Sequence, residues 1–142
     1  MRFFNTAGPC REKNHYYLPP LARFNLEEIL SLIDQEKYFL LHAPRQTGKT
    51  TCLLALMDYL NNIGKYECLY INVESGQGAR EDVKRGIRAI LNELASRANL
   101  YLSDDFMKKN WKSVLDETGE DGGLNEILTL WANESSHPRI LL

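Results

Sequence analysis

The chain has 142 residues, 44% hydrophobic and 25% charged, with a formal net charge of −2. That length allows one domain with a core, and the near-neutral charge gives no global attraction to nucleic acid or anionic membranes. No apolar run reaches the length of a membrane span, and the scattered, odd-numbered cysteines (Cys10, Cys52, Cys68) argue against a disulfide framework or a Cys/His metal site and for the reduced thiols of a cytosolic protein.

Residues 1–24, broken by Gly8-Pro9 and Pro19-Pro20, read as an irregular arm. Asn25 is expected to cap a helix, with Glu28 at the capping-box position and Leu26, Ile29, Leu30 and Ile33 at helical spacing. The apolar residues 37–42 are expected to form a first strand covered on both faces, as in a parallel sheet. The next helix carries Leu53 to Met57 and ends near Gly64. Residues 66–73 read as a second strand, followed by Glu74.

The longest helix is expected over residues 79–98, with Ala79, Val83, Ile87, Ile90, Leu91 and Leu94 as its buried stripe. Ser103 is expected to cap a shorter helix bearing Phe106, Met107, Trp111, Val114 and Leu115. Residues 118–123 read as a Gly- and acid-rich loop, residues 124–131 as another amphipathic helix, and residues 139–142 as the start of a further strand. This order predicts an α/β protein, a three-layer sandwich around a parallel sheet whose last strand is cut short. The arm is expected over residues 1–24, and residues 25–142 are expected to form the N-terminal part of the domain. The chain is expected to be the N-terminal piece of a longer protein, since no acidic residue follows Ile140-Leu141-Leu142.

Between the first expected strand and its helix lies Ala43-Pro44-Arg45-Gln46-Thr47-Gly48-Lys49-Thr50, followed by Thr51. It fits the P-loop pattern Gly/Ala-x-x-x-x-Gly-Lys-Thr. Backbone N–H groups of such a loop curl around phosphate oxygens at a helix N-terminus, where the helix dipole also favours negative charge. Gly48 allows close backbone approach, Lys49 would reach the β- and γ-phosphates, and the Thr50 hydroxyl would ligate Mg²⁺. ATP and Mg²⁺ are therefore the expected cofactors.

The segments Phe4-Asn5-Thr6-Ala7-Gly8-Pro9, His15-Tyr16-Tyr17-Leu18-Pro19-Pro20, residues 38–51 and Tyr70-Ile71-Asn72-Val73-Glu74-Ser75 resemble an AAA-like ATPase family of prokaryotes. The likeness is to the signal-transduction ATPases with numerous domains, within the wider AAA superfamily. The resemblance implies a Walker B Asp-Glu pair, sensor residues and a helical lid beyond Leu142. It also implies that residues 16–23 line an adenine pocket, with Tyr17 offering a ring face for stacking.

The leading expectation is an ATP-binding part of an AAA-like ATPase that couples hydrolysis to conformational change. The alternatives are a small-molecule kinase on a P-loop fold and a non-hydrolysing nucleotide-binding interaction module. Nucleotide is the expected ligand. Self-association or a protein partner stays open, nucleic acid is not indicated, and no membrane association is expected. Glu74 reads either as a contact to metal-bound water or as a strand-end glutamate at a turn. Arg80, Lys84, Arg85 and Arg88 read as a solvated basic face, and Trp111 and Trp131 as core aromatics.

Overall fold

A computed structural model describes residues 1–142, with the exception of the Ser75 side chain, and divides the chain into two units, Met1–Tyr59 and Leu60–Leu142. In the first unit the arm is held by local pairing. Phe3 and His15 form an isolated bridge, and the His15 ring nitrogen accepts from the Arg11 N–H at 2.8 Å. Asn5 makes a turn, accepting from the Ala7 N–H and donating to the Gly8 carbonyl. A short 3₁₀ turn, Pro20–Arg23, leads into α1 (Leu26–Asp34). Asn25 caps α1 as expected, accepting from the Glu28 N–H at 3.3 Å, and Ile29 and Ile33 are buried.

The first expected strand does not form. Residues 37–42 have no strand hydrogen bonding, and Tyr38 and Leu40 are 105% and 86% exposed. A strand is held by its ladder and by cover on its faces. Among the described residues this run has no ladder partner, so its apolar composition alone does not organise it. The chain then turns through the 43–48 loop into α2 (Lys49–Asn62), which buries Cys52, Leu56, Met57 and Leu60.

The second unit holds β1 (Glu67–Leu69), a 3₁₀ segment (Val73–Ala79), α3 (Val83–Leu102), α4 (Phe106–Glu134) and β2 (Arg139–Leu141). β1 and β2 pair in parallel, with Cys68 opposite Ile140. The ladder is prolonged by the Glu67 N–H to the Pro138 carbonyl, 3.1 Å, and the Ile71 N–H to the Leu142 carbonyl, 3.0 Å. On β1 the Asn61 side chain accepts from the Cys68 N–H at 2.7 Å and donates to the Cys68 carbonyl at 2.9 Å. Cys68 is fully buried, which pushes its thiol pKa up to about 12.

The expected three-layer sandwich with a parallel sheet is thereby corrected. The chain is mostly helical, and its strands are two short parallel ones. The expected strand over 66–73 shortens to Glu67–Leu69 because the backbone folds into the 3₁₀ segment at Val73, where the Asn72 side chain accepts from the Glu74 N–H. α3, the helix expected over 79–98, is the longest unbroken one, since α4 is two helical segments joined at a kink at Gly119. α3 starts at Val83, because Arg80 takes a positive φ of 51° and Asp82 provides the cap, accepting from the Arg85 N–H. Ser103 is not an N-cap: it ends α3 in the left-handed region, and Asp104 accepts from the Phe106 N–H instead. The expected loop over 118–123 contracts to a kink at Gly119, φ 74° and ψ 168°, which divides α4 into two helical segments.

Leu91, Leu94, Ala95 and Ala98 of α3 pack with Met107, Trp111, Leu115, Ile127 and Trp131 of α4 and with Leu69 of β1. Val83, expected in the buried stripe, is 66% exposed at the first turn of α3. The basic face is not purely solvated. Arg88 bonds Glu120 at 3.1 Å and Lys84 approaches Glu120 at 3.9 Å, joining α3 to α4.

A polar cluster closes this unit. The Arg139 side chain on β2 is 6% exposed and is paired with Asp104 and, at 3.4 Å, with Glu67. Its guanidinium lies 4.4 Å from the Trp131 ring centroid, and Trp131 Nε1 donates to Asp104 Oδ2 at 2.7 Å. Burial works to raise the Asp104 pKa. Hydrogen bonds from Arg139, the Phe106 N–H and Trp131, with the Arg139 charge, outweigh it, and the net shift is downward. A carboxylate with a lowered folded pKa contributes stability that is present above its unfolded value, about 3.9, and is lost as pH falls through the folded value.

Wild type is therefore expected to lose urea stability progressively below about pH 4. Asp104→Asn has nothing to protonate at this position and should fall less steeply. At neutral pH it should be destabilised by about 3 kcal/mol, because the variant leaves a buried guanidinium without its main counter-charge. Urea midpoints measured from pH 7 to pH 2 check this. Equal acid slopes for the two proteins would exclude Asp104 as the linked group.

Candidate functional site

The residues expected to form the site come together at the start of α2. Gly48 has φ +83° and Gln46 has φ +58°, so the chain makes two left-handed turns before the helix begins at Lys49. Thr47 Oγ1 donates to the Pro44 carbonyl at 2.7 Å. Lys49 Nζ folds back along the loop and donates to the Ala43 carbonyl at 2.7 Å and to the Pro44 carbonyl at 2.8 Å. The lysine thus closes the 43–49 segment into a ring with its own ammonium inside. Arg45, Gln46 and Thr50 are exposed.

The Gly48 carbonyl accepts the Cys52 N–H at 3.0 Å as the first helical bond. The N–H groups of the first turn of a helix have no partner within it and are open to an anion. Among the described residues no three His, Cys, Asp or Glu side chains cluster as a metal-binding group. The Thr50 hydroxyl is a hard oxygen, the kind of ligand that Mg²⁺ would take.

A cavity of about 170 Å³ opens beside the loop, lined by Arg23, Phe24, Leu41, Lys49, Cys52 and Leu53, with His42 and Ala43 completing it. Its cations are Arg23 and Lys49, and its lining is otherwise largely apolar. The Pro20–Arg23 turn is tied to α2 by the buried Cys52 thiol, which donates to the Pro20 carbonyl at 3.5 Å. Burial raises the Cys52 pKa, and the nearby Arg23 charge opposes that shift. Arg23 reaches the loop itself: a Cβ built on Gly48 would lie 2.6 Å from its Nη1.

Tyr17 is half-buried but does not line this cavity; Arg23 and Phe24 do. Burial, then the neighbouring Glu12, Cys10 and Cys52, raises the Tyr17 pKa. The arm is also bonded to α2 through the Cys10 N–H, which donates to Thr51 Oγ1 at 3.1 Å. Thr51, named from the motif as a ligand-binding residue, therefore also anchors the arm. Glu74 belongs to the Leu60–Leu142 unit, where it is exposed on the 3₁₀ segment and accepts from Asn72 Nδ2 at 3.2 Å.

Phe24 and Cys52 were not marked for the site by the sequence, and Arg23 was marked only as the end of the 16–23 segment expected to line an adenine pocket. Their approach depends on how the Pro19-Pro20 turn folds onto α2, which no residue spacing encodes. Comparison with protein-family models, with curated proteins and with solved structures found no match.

Gly48→Ala is expected to disturb the loop twice over. The left-handed conformation costs a non-glycine residue roughly 1–2 kcal/mol, and the new Cβ would press on Arg23. Thermal unfolding should fall accordingly, and relief of the Arg23 clash in Gly48→Ala/Arg23→Ala should recover part of the loss. Identical melting curves for wild type and Gly48→Ala would contradict the left-handed turn.

Proposed function

We propose that the 43–50 loop binds ATP with Mg²⁺, as the nucleotide site of an AAA-like ATPase that couples hydrolysis to conformational change. The observation that supports this most is the loop closed by its own lysine, with Lys49 Nζ on the Ala43 and Pro44 carbonyls. Neutral carbonyls are weaker acceptors for an ammonium than phosphate oxygens, since an anionic oxygen adds the attraction between opposite charges. A triphosphate entering the ring would take over Lys49 and receive the free N–H groups at the start of α2. Thr50 would hold Mg²⁺, and Lys49 would neutralise charge developing on the transferred phosphoryl group. No residue is assigned as the carboxylate that orients water. The apolar lining at Phe24, Leu41 and Leu53 suits a nucleobase or ribose face better than a free inorganic anion.

Calorimetric titration with ATP and Mg²⁺ tests the reading. Lys49→Ala should lose about ten- to a hundredfold in affinity, the equivalent of roughly 1.5–3 kcal/mol for a charged hydrogen bond, with the fold intact. Equal affinity in both proteins would remove the loop from nucleotide binding.

Thr50→Ala separates the metal from the phosphate. Its affinity should fall in Mg²⁺ and stay near that of wild type in EDTA, because the hydroxyl is assigned to the metal. The same loss in both buffers would refute that assignment.

A further inference from the structure

We propose that Arg23 is a second phosphate-binding cation of this site, and that the pair Arg23 and Lys49 selects ligands with two or more linked phosphates. This rests on the reading of the 43–50 loop as a nucleotide site. The sequence motif accounts for one cation, Lys49, and the fold supplies another from outside the motif. Arg23 Nη1 lies where a Cβ of Gly48 would be only 2.6 Å away, so the guanidinium presses against the one loop residue that lacks a side chain. It lines the same cavity as Lys49.

The two cations sit at opposite ends of the loop. Lys49 Nζ is held at its beginning, by the carbonyls of Ala43 and Pro44, and Arg23 lies at its end, against Gly48. Two positive charges lining one cavity suit a chain of linked phosphates better than a single phosphate. Arg23 is also available: among the described residues no hydrogen bond or ion pair engages its guanidinium, and no acidic side chain lines the cavity to neutralise it. The Pro20–Arg23 turn that carries it is fixed by the buried Pro20 and by the Cys52 thiol on the Pro20 carbonyl. The planar fork carried by this turn can grip a phosphate with two parallel hydrogen bonds, which an ammonium cannot do.

The test is titration of the full chain with ATP, ADP, AMP and inorganic tripolyphosphate, in wild type, Arg23→Gln, Arg23→Lys and Lys49→Ala. Arg23→Gln should bind ATP, ADP and tripolyphosphate about ten- to a hundredfold more weakly, while AMP affinity stays within about twofold of wild type. Arg23→Lys should recover only part of the loss, since it restores charge without the fork. Matched thermal midpoints establish that the variants are folded, and Arg23→Lys carries the test if Arg23→Gln is not. Unchanged affinity for the polyphosphates in Arg23→Gln, with Lys49→Ala impaired, would overturn the role of Arg23 and leave the loop reading intact. An equal loss for AMP would overturn the selection by phosphate number. Failure of wild type to bind either ATP or tripolyphosphate would overturn the loop reading, and this inference with it.

Discussion

Arg139 is the group on which the second unit depends. Its side chain is almost entirely buried, and a buried charge is tolerated only with counter-charges and hydrogen bonds around it. Asp104 and Glu67 supply the counter-charges, and the Trp131 ring covers the guanidinium face. These partners come from the α3–α4 junction, β1 and α4, so the cation fixes three elements against β2. Its Nε remains buried without a partner among the described residues, which makes the cluster a specifying contact more than a source of surplus stability.

The loop at the start of α2 follows a different economy. There the polar groups are drawn inward for want of anything better: Lys49 is satisfied by loop carbonyls, and Thr47 by another. These bonds hold the backbone in the two left-handed turns that only Gly48 accepts without strain. The loop is thus ordered by its own side chains. Arg23 adds to this from a separate element that is itself tied down by Cys52.

Local signals were legible in the sequence where local chemistry decides the outcome. Asn25 with Glu28 marks the start of α1, and Gly48-Lys49-Thr50 marks the loop-to-helix corner. Signals failed where a distant partner decides. Residues 37–42 have the composition of a buried strand, but strand formation requires a neighbour, and exposed Tyr38 and Leu40 show what the pattern becomes without one. Glycines and acids at 118–123 suggested a loop; the chain does kink at Gly119, but residues 120–123 already belong to the second helical segment, and Leu115 and Ile127 on either side pack into one core. At the loop, the motif marks Lys49 and Thr50 but carries no signal for the approach of Arg23 to Gly48, which is a property of the tertiary fold.

The Asn61 side chain carries a consequence for chemical ageing. Its amide takes the place of a neighbouring strand for β1, with Oδ1 accepting from the Cys68 N–H and Nδ2 donating to the Cys68 carbonyl. Both functions require the amide. Deamidation to an acid would keep the acceptor, but would replace the donor with a second acceptor facing the carbonyl and bring a negative charge beside a fully buried residue. Spontaneous loss of one ammonia molecule at this position would therefore unpair the edge of the two-stranded sheet without any change in the gene.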